Sequence, residues 1–469
     1  MTTETLQVGQ PRGLWVLFAT EMWERFSYYG MRALLVLYLI SASDDPQNPG
    51  FGWMEGDAYR LYGLYTWAVY LTPIFGGMLA DRFLGTHRSM LLGGVIIAIG
   101  HFLLALTELF AITPGVPVDL QTGPGAVGCF MLGLFFVIVG TGFFKPCVAV
   151  MVGQLYGPDD PRREGGFTVF YMGINVGAML APLVAGTLGE TVGWHWGFGA
   201  AGVGMIAGLI TYQFLRPRYL EGIGLAPERS AVASRRPALP LDRAEWQRVG
   251  VILLLALFGN IAFWAGFEQA GSSLNVFAAQ STDRTLWGLL DDPFPATWYQ
   301  SVNPASVILF APLFAALWLA LGKRGIEPST PVKFCLGLWL LGLAFIAMVA
   351  GAIEARSGLA GPQWLLITFV VVTWGELCLS PVGLSMVTKL APAHLQSFFM
   401  GLWYFTFSLA NLLAGELARF STRLESGEVT FLMDGLPGFY LMLIIAPIAV
   451  GTALLLLVPT LKRWMNGVH

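Results

Sequence analysis

Charge is scarce in this chain: Asp, Glu, Lys and Arg make up 12% of its 469 residues, about half the share that covers an ordinary soluble domain. A chain so poor in charge cannot clothe itself against water. Cysteine is scarce as well, and Cys129, Cys147, Cys335 and Cys378 stand without metal-type spacing. They read as small core-filling thiols, so neither a disulfide nor a metal site is expected. Basic charge is not in excess, with a formal net charge of -3, and no contiguous basic face is available to meet a nucleic acid. The sequence also lacks a phosphate-cradling loop, a nucleophile motif and a metal-ligand cluster, which excludes the usual constellations of an enzyme and leaves no cofactor to expect.

What is abundant is apolar sequence, at 55% of residues. Runs of about twenty apolar residues recur from end to end, the length that crosses a bilayer's hydrocarbon as a helix. Twelve such runs are centred near Leu35, Val69, Leu91, Phe136, Val176, Ile206, Leu255, Leu313, Leu341, Val371, Ser408 and Ile445. Spanning strands would alternate over segments of about ten residues, and these runs are unbroken. The expected class is therefore an all-α integral membrane protein whose first run, with no small-residue cleavage site after it, is kept. Lys and Arg collect on the cytoplasmic side of short loops. With the N-terminus inside, Arg12, Arg82, Arg88, Arg162, Arg216, Arg229, Arg235, Arg236, Lys323, Lys333, Lys389 and Lys462 fall on that side, against Arg60, Arg284, Arg356, Arg419 and Arg423 opposite. Both termini are expected in the cytoplasm.

Residues 217-248, rich in Arg, Pro, Ala and Ser, read as a cytoplasmic linker between six-helix bundles at 1-216 and 249-469. YMGINVGAMLAPLVAG and YFTFSLANLLAGELAR echo one another across these halves, and parallel six-helix repeats are the arrangement of the major facilitator fold. Pro73, Pro146, Pro182, Pro312 and Pro381 stand at mid-span, where each removes a backbone hydrogen bond and bends the helix. His87, His101, His195, His394 and His469 read as solvated or interfacial, so proton transfer is assigned to none of them.

Ionisable groups inside a bilayer are costly and call for partners. The spans hold Glu21, Glu24, Arg25, Arg32, Lys145, Glu268 and Glu376, acids and bases in near balance. At about 100° per residue, Glu21, Glu24 or Arg25, Tyr28 or Tyr29, and Arg32 share one stripe. That stripe, about 16 Å long at 1.5 Å per residue, is expected to face the interior of the bundle.

Glu21-Met22-Trp23-Glu24-Arg25-Phe26-Ser27-Tyr28-Tyr29-Gly30 resembles the ExxERFxYYG signature of the proton-coupled oligopeptide transporter family, a branch of the major facilitator superfamily. Phe170 to Gly177 is similar to its FYxxINxG signature, and Gly142 to Pro146 to its fourth-span Lys-Pro motif. Gly76 to Arg82, Phe263-Trp264 with Glu268-Gln269, and Gly375-Glu376 with Ser380-Pro381 extend the match.

The resemblance implies symport of protons with di- and tripeptides by alternating access in a bacterial plasma membrane. Arg32 and Lys145 would hold the peptide carboxylate; Tyr28, Tyr29 and Tyr70 would line the site; Asn175, Asn303 and Glu376 would meet the amine; Trp264 and Trp403 would wall side-chain pockets. Glu21, Glu24, Arg25 and Glu268 would couple the proton, with Arg32–Glu268 and Lys145–Glu376 as gate pairs. The partners implied are peptides, protons and the lipid bilayer, with no obligate protein partner. Some bacterial relatives insert two further helices between the halves, for which this linker is too short and too charged, so twelve spans are expected. A related carrier with changed cargo, such as nitrate, a drug or another small acid, is the alternative.

Overall fold

The computed structural model describes residues 9–111, 124–157, 160–225, 241–392 and 395–465. Residues 226–240 of the expected linker, with Arg229, Arg235 and Arg236, lie outside the described residues, as do His394 and His469. Among the described residues the fold is all-helical, and pairing between extended segments is limited to the bridges Thr282–Ala360 and Phe431–Met433.

The first half of the chain supplies α1 (Arg12–Ile40), α2 (Glu55–Leu79), α3 (Gly85–Ala111), α4 (Pro124–Gln154), α5 (Arg163–Ala181), the short α6 (Thr187–Thr191) and α7 (Trp194–Tyr219). Beyond residues 226–240 come α8 (Arg243–Leu254), α9 (Ile261–Phe267) and α10 (Ser273–Gln280). The long α11 (Val302–Lys323), α12 (Thr330–Glu354), α13 (Gln363–Leu390), α14 (Gln396–Glu425) and α15 (Gly435–Trp464) complete the chain. Asp242 starts α8 by a capping box: its side chain accepts from the Glu245 N–H, while Glu245 accepts from the Asp242 N–H, which satisfies two backbone donors that a helix start leaves open.

Ten segments of the described residues are long and apolar enough to cross a membrane, against the twelve expected. Two features account for the difference. The segment Glu55–Glu108 counts once at 54 residues, which as one straight helix would run about 80 Å, more than twice the hydrocarbon thickness; it comprises α2 and α3 joined by a π-helical turn, Ala80–Leu84. And α1, which carries Glu21, Glu24, Arg25 and Arg32, is not among the ten.

The expected mid-span prolines Pro73, Pro146, Pro312 and Pro381 lie inside α2, α4, α11 and α13. Pro182 instead opens a π-helical turn, Pro182–Gly186, between α5 and α6, where its missing N–H is least costly. The seventh span is not one helix. A π-helical turn at Leu255–Asn260 separates α8 from α9, and a tight turn at Glu268–Gly271 separates α9 from α10. A side chain at Gly271 would collide with the Tyr62 hydroxyl of α2, so only glycine lets this turn close against that phenol.

Two compact units divide the chain: Met1–Met31, Thr72–Gly189 and Gly193–Ala231 form one, and Arg32–Leu71, Glu190–Val192 and Val232–His469 the other. The first is built around Leu17, Met90, Ile97, Phe144, Met151 and Tyr212. Its α3 and α4 cross at a glycine pair, where a Cβ on Gly93 would lie 2.5 Å from the Gly140 carbonyl oxygen. Without a hydrophobic drive between helices in lipid, close backbone approach at small residues supplies the packing. The second unit repeats the device at Gly63 and Gly415, whose built Cβ atoms would lie 2.8 and 2.5 Å from the other's Cα.

Candidate functional site

In the first unit, the middle of α1 carries an acid–base cluster. Residues four apart on a helix lie one above the other, and the Arg25 Nε stands 3.1 Å from Glu21 Oε1. The same nitrogen donates to Glu24 Oε2 at 2.5 Å. Exposure of Glu21, Glu24 and Arg25 is 4%, 1% and 4%, so one buried guanidinium faces two buried carboxyls. The Arg25 guanidinium also lies 5.5 Å from the centre of the Tyr28 ring, and Tyr28 meets Tyr29 edge to face at 5.1 Å. The FYMGINVG stretch of α5 explains how a second helix comes so near: a Cβ on Gly173 would fall 2.9 Å from Phe18, and one on Gly177 3.0 Å from the Arg25 Cβ. Asn175, between those glycines, is buried and donates to the Tyr171 carbonyl at 3.0 Å. Lys145 is partly buried on α4 beside Pro146.

The second unit begins at Arg32, whose Nη2 makes a 3.0 Å ion pair with Glu268 Oε2. Both side chains are buried, and the guanidinium lies 6.0 Å from the centre of the Tyr62 ring. Taking two charges out of water costs several kcal/mol each, which close geometry must offset. The tight turn that opens with Glu268 directs its carboxylate, and Tyr62 reaches the same turn through Gly271. Asn275 donates to the Ala33 carbonyl at 2.8 Å, tying α10 to α1 one residue past Arg32.

Glu376, buried on α13, accepts from Asn303 Nδ2 at 2.9 Å, and the same amide lies 2.9 Å from Thr373 Oγ1. Trp264 donates its indole N–H to Asn260 Oδ1 at 2.9 Å, and Asn260 donates to Thr406 Oγ1 at 2.7 Å. Phe407 gathers the aromatic groups: it lies 4.9 Å from Trp264, 6.2 Å from Tyr70 and 6.5 Å from Trp403 between ring centres. Trp403 is 1% exposed against Phe334 and Phe407, so in this conformation it offers no open surface.

The structure therefore joins Glu21, Glu24, Arg25, Tyr28 and Tyr29 in one unit, and Arg32 with Glu268, Asn303 with Glu376, and Trp264, Tyr70 and Trp403 around Phe407 in the other. The sequence reading passed over Tyr62, Asn260, Asn275, Thr373 and Thr406. Their signal was there: amides, hydroxyls and a phenol within apolar runs, which in hydrocarbon must find partners. His101 corrects the reading of every histidine as solvated or interfacial. It lies within α3, fully buried, where Gly202 on α7 leaves room beside its Cβ.

Comparison with known proteins places this geometry in a family. The pattern of the POT family matches residues 87–223 and 240–432, and the chain belongs to that family, a family of multi-pass membrane transporters. It is similar to the uncharacterized transporter YclF of Bacillus subtilis (strain 168), 38% identical over 98% of this chain and 96% of the relative. It is 36% identical to the peptide transporter YePEPT of Yersinia enterocolitica, again over 98% and 96% of the two chains. Among solved structures, the peptide transporter POT in complex with sulfate superposes with a TM-score of 0.84 at 33% identity, covering 99% of this chain and 97% of that one.

Proposed function

We propose that this chain carries di- and tripeptides across a bacterial plasma membrane together with protons, by alternating access, and releases them unmodified. The observation that carries the reading is the buried cluster in which Glu21 and Glu24 share the Arg25 guanidinium, with the Lys145 ammonium close enough to act on Glu21. Acids and bases balance in such a cluster, so a proton taken up by one carboxyl releases a base to meet another carboxylate, and in a low dielectric that exchange is worth several kcal/mol. Relatives named as peptide or di-/tripeptide transporters support the cargo, and the lack of a catalytic motif in the sequence supports transport of unmodified peptide.

A short peptide is a zwitterion with variable side chains, so recognition clamps its ends and tolerates its middle. In this reading Arg32 and Lys145 take the carboxylate, and Glu376, Asn303 and Asn175 take the amine. Tyr28, Tyr29, Tyr70, Trp264 and Trp403 accept side chains through aromatic surface, which asks for no hydrogen bonds. Arg32 has a carboxylate already, on Glu268. An arriving peptide therefore exchanges one carboxylate for another, and a proton on Glu268 frees the guanidinium for the cargo. Arg32–Glu268 and Lys145–Glu376 are proposed as the gate pairs, in two six-helix bundles of twelve spans with both termini in the cytoplasm. The test is uptake into liposomes under an imposed inward proton gradient, with a peptide panel set against free amino acids and nitrate. Gradient-driven uptake of nitrate but not of peptides would replace the cargo and retain the coupling.

A further inference from the structure

Trp264, Asn260, Thr406 and Trp403, all in the second unit, are joined by a chain of hydrogen bonds whose direction is fixed at every step. The Thr406 hydroxyl donates its single proton to the Trp403 carbonyl at 2.6 Å. Its oxygen is left to accept, and Asn260 Nδ2 donates to it at 2.7 Å. Asn260 Oδ1 then accepts from the Trp264 indole N–H at 2.9 Å, and an indole can only donate. Turning the Asn260 amide over would set its NH₂ against the indole N–H, two donors with no acceptor between them. Asn260 and Thr406 are fully buried, so water does not stand in for either. Such pairing is not automatic: the indole N–H of Trp403, three residues before Thr406, is buried with no hydrogen-bond partner among the described residues.

Asn260 closes the π-helical turn Leu255–Asn260, a distortion frequent at functional sites, and stands four residues from Trp264, a spacing that stacks side chains along a helix. With its N–H engaged, what Trp264 has left to offer is carbon. Its ring is half-buried, 4.7 Å from Phe267 and 4.9 Å from Phe407 between centres, and Phe407 in turn lies within 13° of parallel to Tyr70. An indole with an open N–H serves polar and apolar neighbours alike. One whose N–H is occupied presents only its faces and C–H edge. A polar side chain pressed against such a wall gives up its water and gains no partner.

We infer that Asn260 and Thr406 are positioning residues that set the side-chain selectivity of the carrier. By holding the Trp264 N–H toward α14, they leave a wall that admits aliphatic and aromatic cargo side chains and disfavours those carrying an amide. The inference rests on the reading of Trp264 as a wall of the peptide site, and it names the class of side chain that this wall selects. Both residues act through Trp264, not on the cargo.

The test is competition binding on the full-length protein in detergent with dialanine, alanyl-phenylalanine and alanyl-glutamine. The wild type should bind alanyl-phenylalanine about tenfold more tightly than alanyl-glutamine, as desolvation of an unpaired amide requires. In Asn260→Leu the indole N–H lacks its partner and the cargo amide can supply one, so that ratio should fall by about fivefold. Thr406→Val should fall part of the way, and Thr406→Ser, which keeps the hydroxyl, should hold the wild-type ratio. Trp264→Phe keeps an aromatic ring and removes the N–H; in that background Asn260→Leu should move the ratio by less than about twofold, an outcome that a merely structural role would not give. Should Asn260→Leu not fold, Thr406→Val against Thr406→Ser carries the same test, since valine keeps the shape of the side chain. A wild-type ratio near one, an unchanged ratio in both Asn260→Leu and Thr406→Val, parallel weakening of all three peptides, or a further change in the Trp264→Phe background would overturn the inference and leave the peptide reading standing. Failure of the wild type to bind any of the three would remove the peptide reading, and this inference with it.

Discussion

Replacing Glu268 by Gln tests whether Arg32 is shared between a resident carboxylate and a transported one. The pair is a 3.0 Å contact between buried groups. A hydrogen bond to a charged group contributes about 1.5 to 3 kcal/mol, and a neutral one about 1. Glu268→Gln keeps the shape of the side chain, leaves Arg32 a neutral acceptor and removes the competitor for the guanidinium. The competition it relieves is the difference, about 0.5 to 2 kcal/mol, so a peptide should bind about two- to thirtyfold more tightly. Gradient-driven accumulation should fall, because the exchange that couples Glu268 to the cargo is gone. Arg32→Ala, by contrast, should lose about 1.5 to 3 kcal/mol of peptide binding, a factor of about 10 to 150. Glu268→Ala strands Arg32 without its partner and should destabilise the fold by about 3 to 5 kcal/mol. Calorimetry with trialanine on purified variants reads all three affinities, and unfolding in detergent reads the stability. If Glu268→Gln weakens peptide binding as much as Arg32→Ala does, Glu268 is not the competitor and the exchange account fails.

Three other outcomes are expected. Lys145→Ala should weaken peptide affinity by about 1.5 to 3 kcal/mol, and unchanged calorimetry would remove Lys145 from the carboxylate site. Gly271→Ala should destabilise by about 1 to 3 kcal/mol through its clash with the Tyr62 hydroxyl; Tyr62→Phe in the same chain should restore part of that loss, and no rescue on thermal unfolding would place the strain elsewhere. Asn303→Ala should cost peptide affinity by about 1 kcal/mol or more, since it removes the donor at Glu376, and competition binding at wild-type strength would contradict it.

The stripe on α1 was legible because charge in an apolar run has few structural uses, and Glu21, Arg25 and Tyr28 fall together by helical spacing alone. The Arg32–Glu268 pair was not, since nothing in the spacing joins residues on α1 to residues beyond the linker; the family resemblance supplied it. The break of the seventh span at Glu268–Gly271 was hidden because glycine in an apolar run reads equally well as tight packing. Asn260 and Thr406 are single polar residues whose meaning emerges only when each finds the other at 2.7 Å. The histidines misled at one point, because His101 sits in helix interior that composition treats like any other apolar turn.

Proton coupling at Glu21 and Glu24 is the centre of the account, and one liposome experiment addresses it directly. An inward proton gradient with an interior-negative potential supplies about 2.3 kcal/mol per 100 mV for each net charge carried. The wild type should accumulate trialanine above its external concentration and lose that accumulation on addition of a protonophore. The Glu21→Gln/Glu24→Gln variant, which can neither bind nor release a proton at these two positions, should fail to accumulate peptide yet still exchange labelled for unlabelled trialanine without a gradient. Full gradient-driven accumulation by that variant would contradict the account.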